Sequence, residues 1–164
     1  SGRPMRPGPH AWGSYIDDVN DSKDLQLFDY LFQWLDNRSY ELNVEQMYSC
    51  GFSSGGFMTS RLAKVFPDKF VKVIIHSGTD ADLISFTRFG PDFDCESAIE
   101  YEKDHPPVLI VHGKQDKIVP FECGFHMFNE LQRNEIESRI LIDEKIGHIW
   151  ISSFNDDIID WIYS

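Results

Sequence analysis

The segment Gly51-Phe52-Ser53-Ser54-Gly55 sets a serine with a glycine two residues to either side, between an apolar stretch and a helix pattern. A serine hydroxyl is a weak nucleophile at neutral pH. It gains reactivity when a neighbouring base takes its proton and an acid steadies that base. Only Ser53 has both glycines, because centring the pattern on Ser54 puts Phe52 where glycine is needed. In so tight a turn, a side chain at Gly51 or Gly55 is expected to strike the neighbouring strand or helix. Ser53 is then held at the apex in a strained conformation with its hydroxyl exposed. The backbone N–H of Ser54 follows the nucleophile at a helix amino terminus, where negative charge is favoured and an oxyanion can be bound. The plainer alternative is a Gly/Ser-rich turn without chemistry.

Two later loops offer the partners. Gly113-Lys114-Gln115-Asp116 follows the apolar run VLIVH, and Asp116 is placed to orient a histidine. Lys145-Ile146-Gly147-His148 follows SRILID, and His148 is the candidate base. Each has an ordinary reading, a solvated turn aspartate and a capping or packing histidine. The set is more specific than its members, because Ser, Asp and His follow successive parts of one sheet in this chain order. Asp143 is the second candidate acid, but it lies close to His148 in sequence and leaves Asp116 without a task. His76 ends a strand ahead of a structural turn, His112 is a buried strand-end residue, and His126 lies on a helix with no partner. His10 and His105 fall in irregular segments.

The elements that must position these residues alternate. Residues 1–21 read as an irregular arm. Leu25, Phe28, Leu31, Phe32 and Leu35 recur at helical spacing up to about Asn37. Residues 45–50 form a short strand and 55–66 a helix stopped by Pro67. Strands are expected at 70–76, 108–112 and 138–143, and helices at 122–134 and 150–164. The strands are continuous apolar runs, the mark of a parallel sheet covered on both faces. The expected fold is a three-layer α/β/α sandwich in one domain spanning 1–164, with four strands in chain order. In such sheets chemistry gathers beyond the strands' carboxyl ends. The long segment 77–107 reads as an insertion near the site, its Phe86, Phe89, Phe93 and Tyr101 placed to select substrate.

Composition narrows the partners. The net charge of −12 argues against nucleic acid, which needs a basic face. No apolar run is long enough to span a membrane, and SGRPMRPGPH lacks the apolar core of a signal peptide. Neither a secreted nor a cytoplasmic location is singled out. Cys50, Cys95 and Cys123 follow no metal spacing, and the chemistry outlined needs no metal or organic cofactor. Cys95 and Cys123 can pair, though the sequence alone does not decide it.

The stretch GFSSGGFMTSRLAKVFPDKF resembles the nucleophile elbow of the α/β hydrolases, in particular their polyhydroxybutyrate depolymerase-like and feruloyl esterase branch. IDDV (16–19), VLIVHGKQDKIVP and GHIW are similar to further parts of that branch, so the resemblance covers roughly residues 15–160. It implies a serine hydrolase cleaving small or polymeric carboxylic esters, with Ser53 as nucleophile, Asp116 as acid and His148 as base. The prolyl-oligopeptidase type of serine peptidase shares the elbow, and a non-catalytic hydrolase-like binding or assembly module is the remaining alternative. One feature departs from the family pattern. Its members carry several strands before the elbow strand, and an early loop, often with His-Gly, gives the second oxyanion donor. Here 44 residues precede the elbow strand, with no His-Gly pair among them. The chain thus resembles the carboxyl-terminal half of a hydrolase. An open apolar edge is a liability, so the elbow strand is expected to be covered by the 1–21 arm, a second copy or another chain.

Overall fold

The computed structural model describes residues 11–38, 41, 44–88 and 90–164. Four strands, β1 (Tyr48–Phe52), β2 (Lys72–His76), β5 (Val108–Gly113) and β6 (Ser138–Asp143), form one parallel sheet in the order β1-β2-β5-β6. The register runs Phe52↔His76, His76↔Val111 and Gly113↔Asp143, so the carboxyl ends of all four strands gather on one side.

The period-two alternation of β-strands decides what each face buries. Val73, Ile75, Val108 and Ile110 point to the face covered by α2 (Ser54–Val65) and α3 (Phe121–Arg133), where Ala63, Cys123, Met127 and Leu131 meet them. Ile74, Leu109 and Val111 point the other way, onto Ile158 and Trp161 of α4 (Asn155–Tyr163). These seven central-strand side chains are fully buried. At about 1.5–3 kcal/mol for each large aliphatic side chain, they are the main favourable term of the sandwich. Lys72 Nζ donates to the Trp161 carbonyl at 2.8 Å and pins the end of α4 to the start of β2.

Helix α1 (Lys23–Asp36) starts on a Ser22 cap whose hydroxyl accepts from Leu25 N–H, and it packs Leu25 and Phe32 over Met58, Leu62 and Phe66. A small antiparallel hairpin, β3 (Ile84–Thr87) with β4 (Gly90–Phe93), lies inside segment 77–107. The sequence assigns no strand there, since strands of four residues, ISFT and GPDF, are too short to show a period within a segment of weak periodicity. The closing segment also differs from one helix over 150–164. It begins with a 3₁₀ turn, Ser152–Phe154, and becomes α-helical at Asn155.

Two of the aromatics expected to select substrate serve the core instead. Phe93 packs on Phe57, with ring centroids 6.2 Å apart. Tyr101 is buried and donates its hydroxyl to Asp80 at 2.8 Å. Phe89 lies outside the described residues, as do residues 1–10 of the arm and His10 with them. Cys95 and Cys123 form a disulfide that ties this segment to α3, and Cys50 is free and exposed. His126 has a partner after all, the Ser97 carbonyl at 2.7 Å.

Candidate active site

Ser53 sits between β1 and α2 with φ 55° and ψ −119°, a left-handed conformation that an L-residue adopts only under constraint. The constraint is visible. Ser53 N–H donates to the His76 carbonyl at 2.9 Å, and Phe57 N–H donates to the Ser53 carbonyl at 3.1 Å. Gly51 has no room for a side chain, since a Cβ there would run into the carbonyl group of Gly55. Gly55 differs from expectation, because a Cβ there would meet nothing within 4 Å. The glycine that crosses closely is Gly56, whose Cβ would lie 3.3 Å from the Gly51 and His76 carbonyl oxygens and from Gly78 Cα. The elbow is therefore squeezed at Gly51 and Gly56, and open at Gly55.

The loops after β5 and β6 bring the other two residues in. Asp116 is buried, and its Oδ1 accepts from Ile118 N–H and Val119 N–H, both at 2.9 Å. Its Oδ2 accepts from His148 Nδ1 at 2.7 Å. A carboxylate only accepts, so Nδ1 carries the proton and Nε2 is free to accept from Ser53 Oγ, 2.8 Å away. Ser53, His148 and Asp116 thus form one hydrogen-bonded series. Asp143 takes a different place. Its Oδ1 accepts from Lys145 N–H and Ile146 N–H and shapes the turn that leads to His148. The two loops are laced together by Gln115 N–H on the Ile146 carbonyl at 3.0 Å and Lys114 N–H on the Asp143 carbonyl at 2.8 Å.

Ser54 opens α2, so its N–H has no acceptor in a preceding helical turn. Its hydroxyl accepts from Trp12 N–H at 3.0 Å, which brings the arm against the elbow. The described part of the arm, 11–21, does not pair with β1. It rests on the helices through Gly13 N–H on Asp24 and Arg61 Nε on the Ser14 carbonyl.

Two buried histidines stand behind the series. His112 Nε2 donates to the Val119 carbonyl at 3.1 Å and lies 3.5 Å from Asp116 Oδ2. His76 is fully buried between the elbow and the His148 loop. Burial holds both below the ordinary histidine range, His76 at about 4, with the neighbouring His112 and His148 adding to the effect on His76. Both are neutral at pH 7. Sequence reasoning set His76 and His112 aside, and a histidine at the end of an apolar strand offers no signal by which to rank it. Among the described residues no cluster of His, Cys, Asp and Glu has the arrangement to hold a metal ion, and no helix is long and apolar enough to cross a membrane.

Known proteins place the chain. The prolyl oligopeptidase family matches over residues 91–163. A poly(3-hydroxyoctanoate) depolymerase of Pseudomonas fluorescens is 33% identical over 120 residues, covering 73% of this chain and 41% of its own. Feruloyl esterase B of Thermothelomyces thermophilus is 31% identical, covering 48% of this chain and 34% of its own. The crystal structure of Arabidopsis thaliana SOBER1 superposes with a TM-score of 0.62 at 21% identity, over 85% of this chain and 62% of that one. The chain spans less than half the length of the two curated relatives. With its parallel sheet and its elbow between β1 and α2, the chain has the α/β-hydrolase fold and is similar in sequence to the depolymerase and the feruloyl esterase.

Proposed function

We propose that the chain carries the catalytic half of a serine hydrolase that cleaves carboxylic esters. The observation that carries this reading is the unbroken series Ser53 Oγ, His148 and Asp116, with Ser53 on a strained elbow. Ser53 Oγ attacks the ester carbonyl as His148 Nε2 takes its proton, and the imidazolium is steadied by Asp116. Ser54 N–H donates a hydrogen bond to the oxyanion and steadies its charge. The alcohol leaves with the proton from His148, which gives an acyl-serine. Water, deprotonated by His148, then releases the acid and restores Ser53. The names of the depolymerase and the feruloyl esterase make hydroxyalkanoate and aromatic acyl esters the substrates to try first.

The same proposal includes a partner for the sheet. Among the described residues β1 is paired on one side only, and beside it runs a groove of about 310 Å³ lined by Phe28, Leu31, Phe32, Met47, Leu62 and Phe70. Strands from outside these 164 residues extend the sheet past β1 and bring the second oxyanion donor. The full-length protein is the material for the test. Labelling by a fluorophosphonate, lost in Ser53→Ala, and turnover of 4-nitrophenyl butyrate, methyl ferulate or hydroxyalkanoate oligomers support the reading. Labelling with cleavage of peptide amides alone favours the peptidase, which the match over 91–163 keeps in view. No labelling of the intact protein overturns the enzyme reading and leaves a binding module.

A further inference from the structure

His76 belongs to β2, a strand that contributes none of the three residues in the Ser–His–Asp series, yet it touches both of the loops that must meet. Its carbonyl accepts from Ser53 N–H, which fixes the apex of the elbow. Its ring Nε2 accepts from Ile151 N–H at 2.8 Å, three residues past His148. An imidazole nitrogen that accepts a backbone N–H is unprotonated, so Nδ1 holds the ring proton and faces the Ser77 hydroxyl at 3.2 Å. The ring lies flat against Trp150, with centroids 4.4 Å apart and planes inclined by 17°. Phe52 fills the angle between them, 5.5 Å from the His76 ring and 5.0 Å from the His148 ring. A buried N–H left without an acceptor is costly, so a loop whose Ile151 N–H is paired with His76 has one favoured seat.

We propose that His76 is a positioning residue that clamps the His148 loop to the nucleophile elbow, so that the spacing of Ser53 Oγ and His148 Nε2 is set by one side chain bonded to Ile151 and stacked on Trp150. The proposal rests on the hydrolase reading of Ser53 and His148. Its neutral state is the one burial favours, since a charged ring could no longer accept from Ile151.

The test compares His76→Leu, which fills the space without an acceptor, with His76→Gln, whose amide oxygen can accept from Ile151. Misplacing a reacting group by about 1 Å costs on the order of 100-fold. In the full-length protein, His76→Leu is expected to lower fluorophosphonate labelling and kcat for 4-nitrophenyl butyrate about 10- to 100-fold, with KM within about twofold. Amide hydrogen exchange in a peptide spanning 147–153 should speed up while peptides from β5 keep their protection. His76→Gln should recover most of both. Labelling of His76→Leu at the wild-type rate overturns the clamp, and so does loss of β5 protection in step with activity in both variants, which would mark a purely structural role. A wild-type protein that does not label overturns the hydrolase reading instead. Exchange at 147–153 then still decides whether His76 anchors the loop, and unchanged exchange in His76→Leu rejects it.

Discussion

The two outer strands of the sheet are built for different neighbours. β6 carries Arg139, half-exposed and paired with Asp157 at 3.2 Å, and it leads into the charged turn Asp143-Glu144-Lys145. Charge on an outer strand discourages a further chain from pairing there, so β6 is suited to water. β1 has no charged residue. Its Cys50 is exposed on the face turned from α2, and the groove beside it is apolar. The outer side of α1 continues that surface, with Leu27, Tyr30, Leu31 and Trp34 all exposed. By composition β1 is an interior strand standing at an edge, whereas β6 is an edge by design. The proposed chemistry belongs to neither side alone, because the Ser53–His148–Asp116 series is drawn from the ends of β1, β5 and β6.

If so, the strand ends carry function with little stability, and removing their side chains gives the largest effects in the molecule on rate alone. Ser53→Ala and His148→Ala should each lower ester turnover on the order of 10⁴-fold or more, and the double variant should cost little beyond either single one. Asp116→Asn should lose on the order of 10³- to 10⁴-fold, because an amide no longer selects the Nδ1–H tautomer of His148. Turnover beside a thermal melt for each variant is the measurement. Melting within a few degrees of wild type for Ser53→Ala and His148→Ala is expected, and activity lost only in proportion to folded protein would erase the division between strand ends and core.

The edges themselves are compared next. Cys50→Lys puts a charge on the face of β1 that whatever packs over the extended sheet is proposed to cover, and Arg139→Ala removes one where water is expected. In the full-length protein Cys50→Lys should cost about 3–5 kcal/mol, the range for an uncompensated buried charge, with Arg139→Ala within about 1 kcal/mol. Urea unfolding reads both. Equal and small effects would make β1 an ordinary solvent edge.

How much of this was legible in the sequence follows from the physics of each part. The central strands β2 and β5 announce themselves as apolar runs because both their faces are covered, and SRILID appears at the bounds read for it, 138–143. The elbow, Asp116 and His148 stand at strand ends, where a short motif and chain order suffice to name them. The β3–β4 hairpin, the part played by Phe93 and Tyr101, and the contacts of His76 were not legible. They depend on which distant segments pack together, and a neutral histidine that accepts one backbone N–H leaves no periodic trace.

Acid acts on the strand-end side more than on the β1 side. His76 is depressed to about 4 and His112 is lowered as well, both chiefly by burial. Unfolded histidine titrates near its ordinary value of about 6.5. Between those values the unfolded chain binds the proton and the folded one does not, so this stability is present above about pH 6.5 and is lost as pH falls toward 4. The groups whose charges act on His76 are His112, His148 and Asp116. Melting temperatures from pH 7 to 4.5 should fall, and His76→Gln should make the slope shallower. An unchanged slope would show that His76 is not the group taking up the proton.

The smallest effect is expected at the other glycine of the elbow, and it separates two roles that the motif runs together. Gly51 is closed by the backbone of Gly55, so Gly51→Ala must push strand and helix apart and should damage folding and activity together. Gly55 lies in the first turn of α2 with open space where a Cβ would project, and its φ is not in the left-handed region. Alanine there removes the conformational freedom that glycine keeps in the unfolded chain and should raise stability by about 0.4–1 kcal/mol. Two residues from Ser53, the added methyl would face open space and not the packing of the elbow. Denaturation midpoints and ester kinetics for Gly55→Ala tell the two apart. A stability gain with KM raised and kcat kept would assign that space to the substrate. A stability gain with unchanged kinetics would leave Gly55 as an open position of the turn, and a loss of stability would return it to the packed elbow beside Gly51.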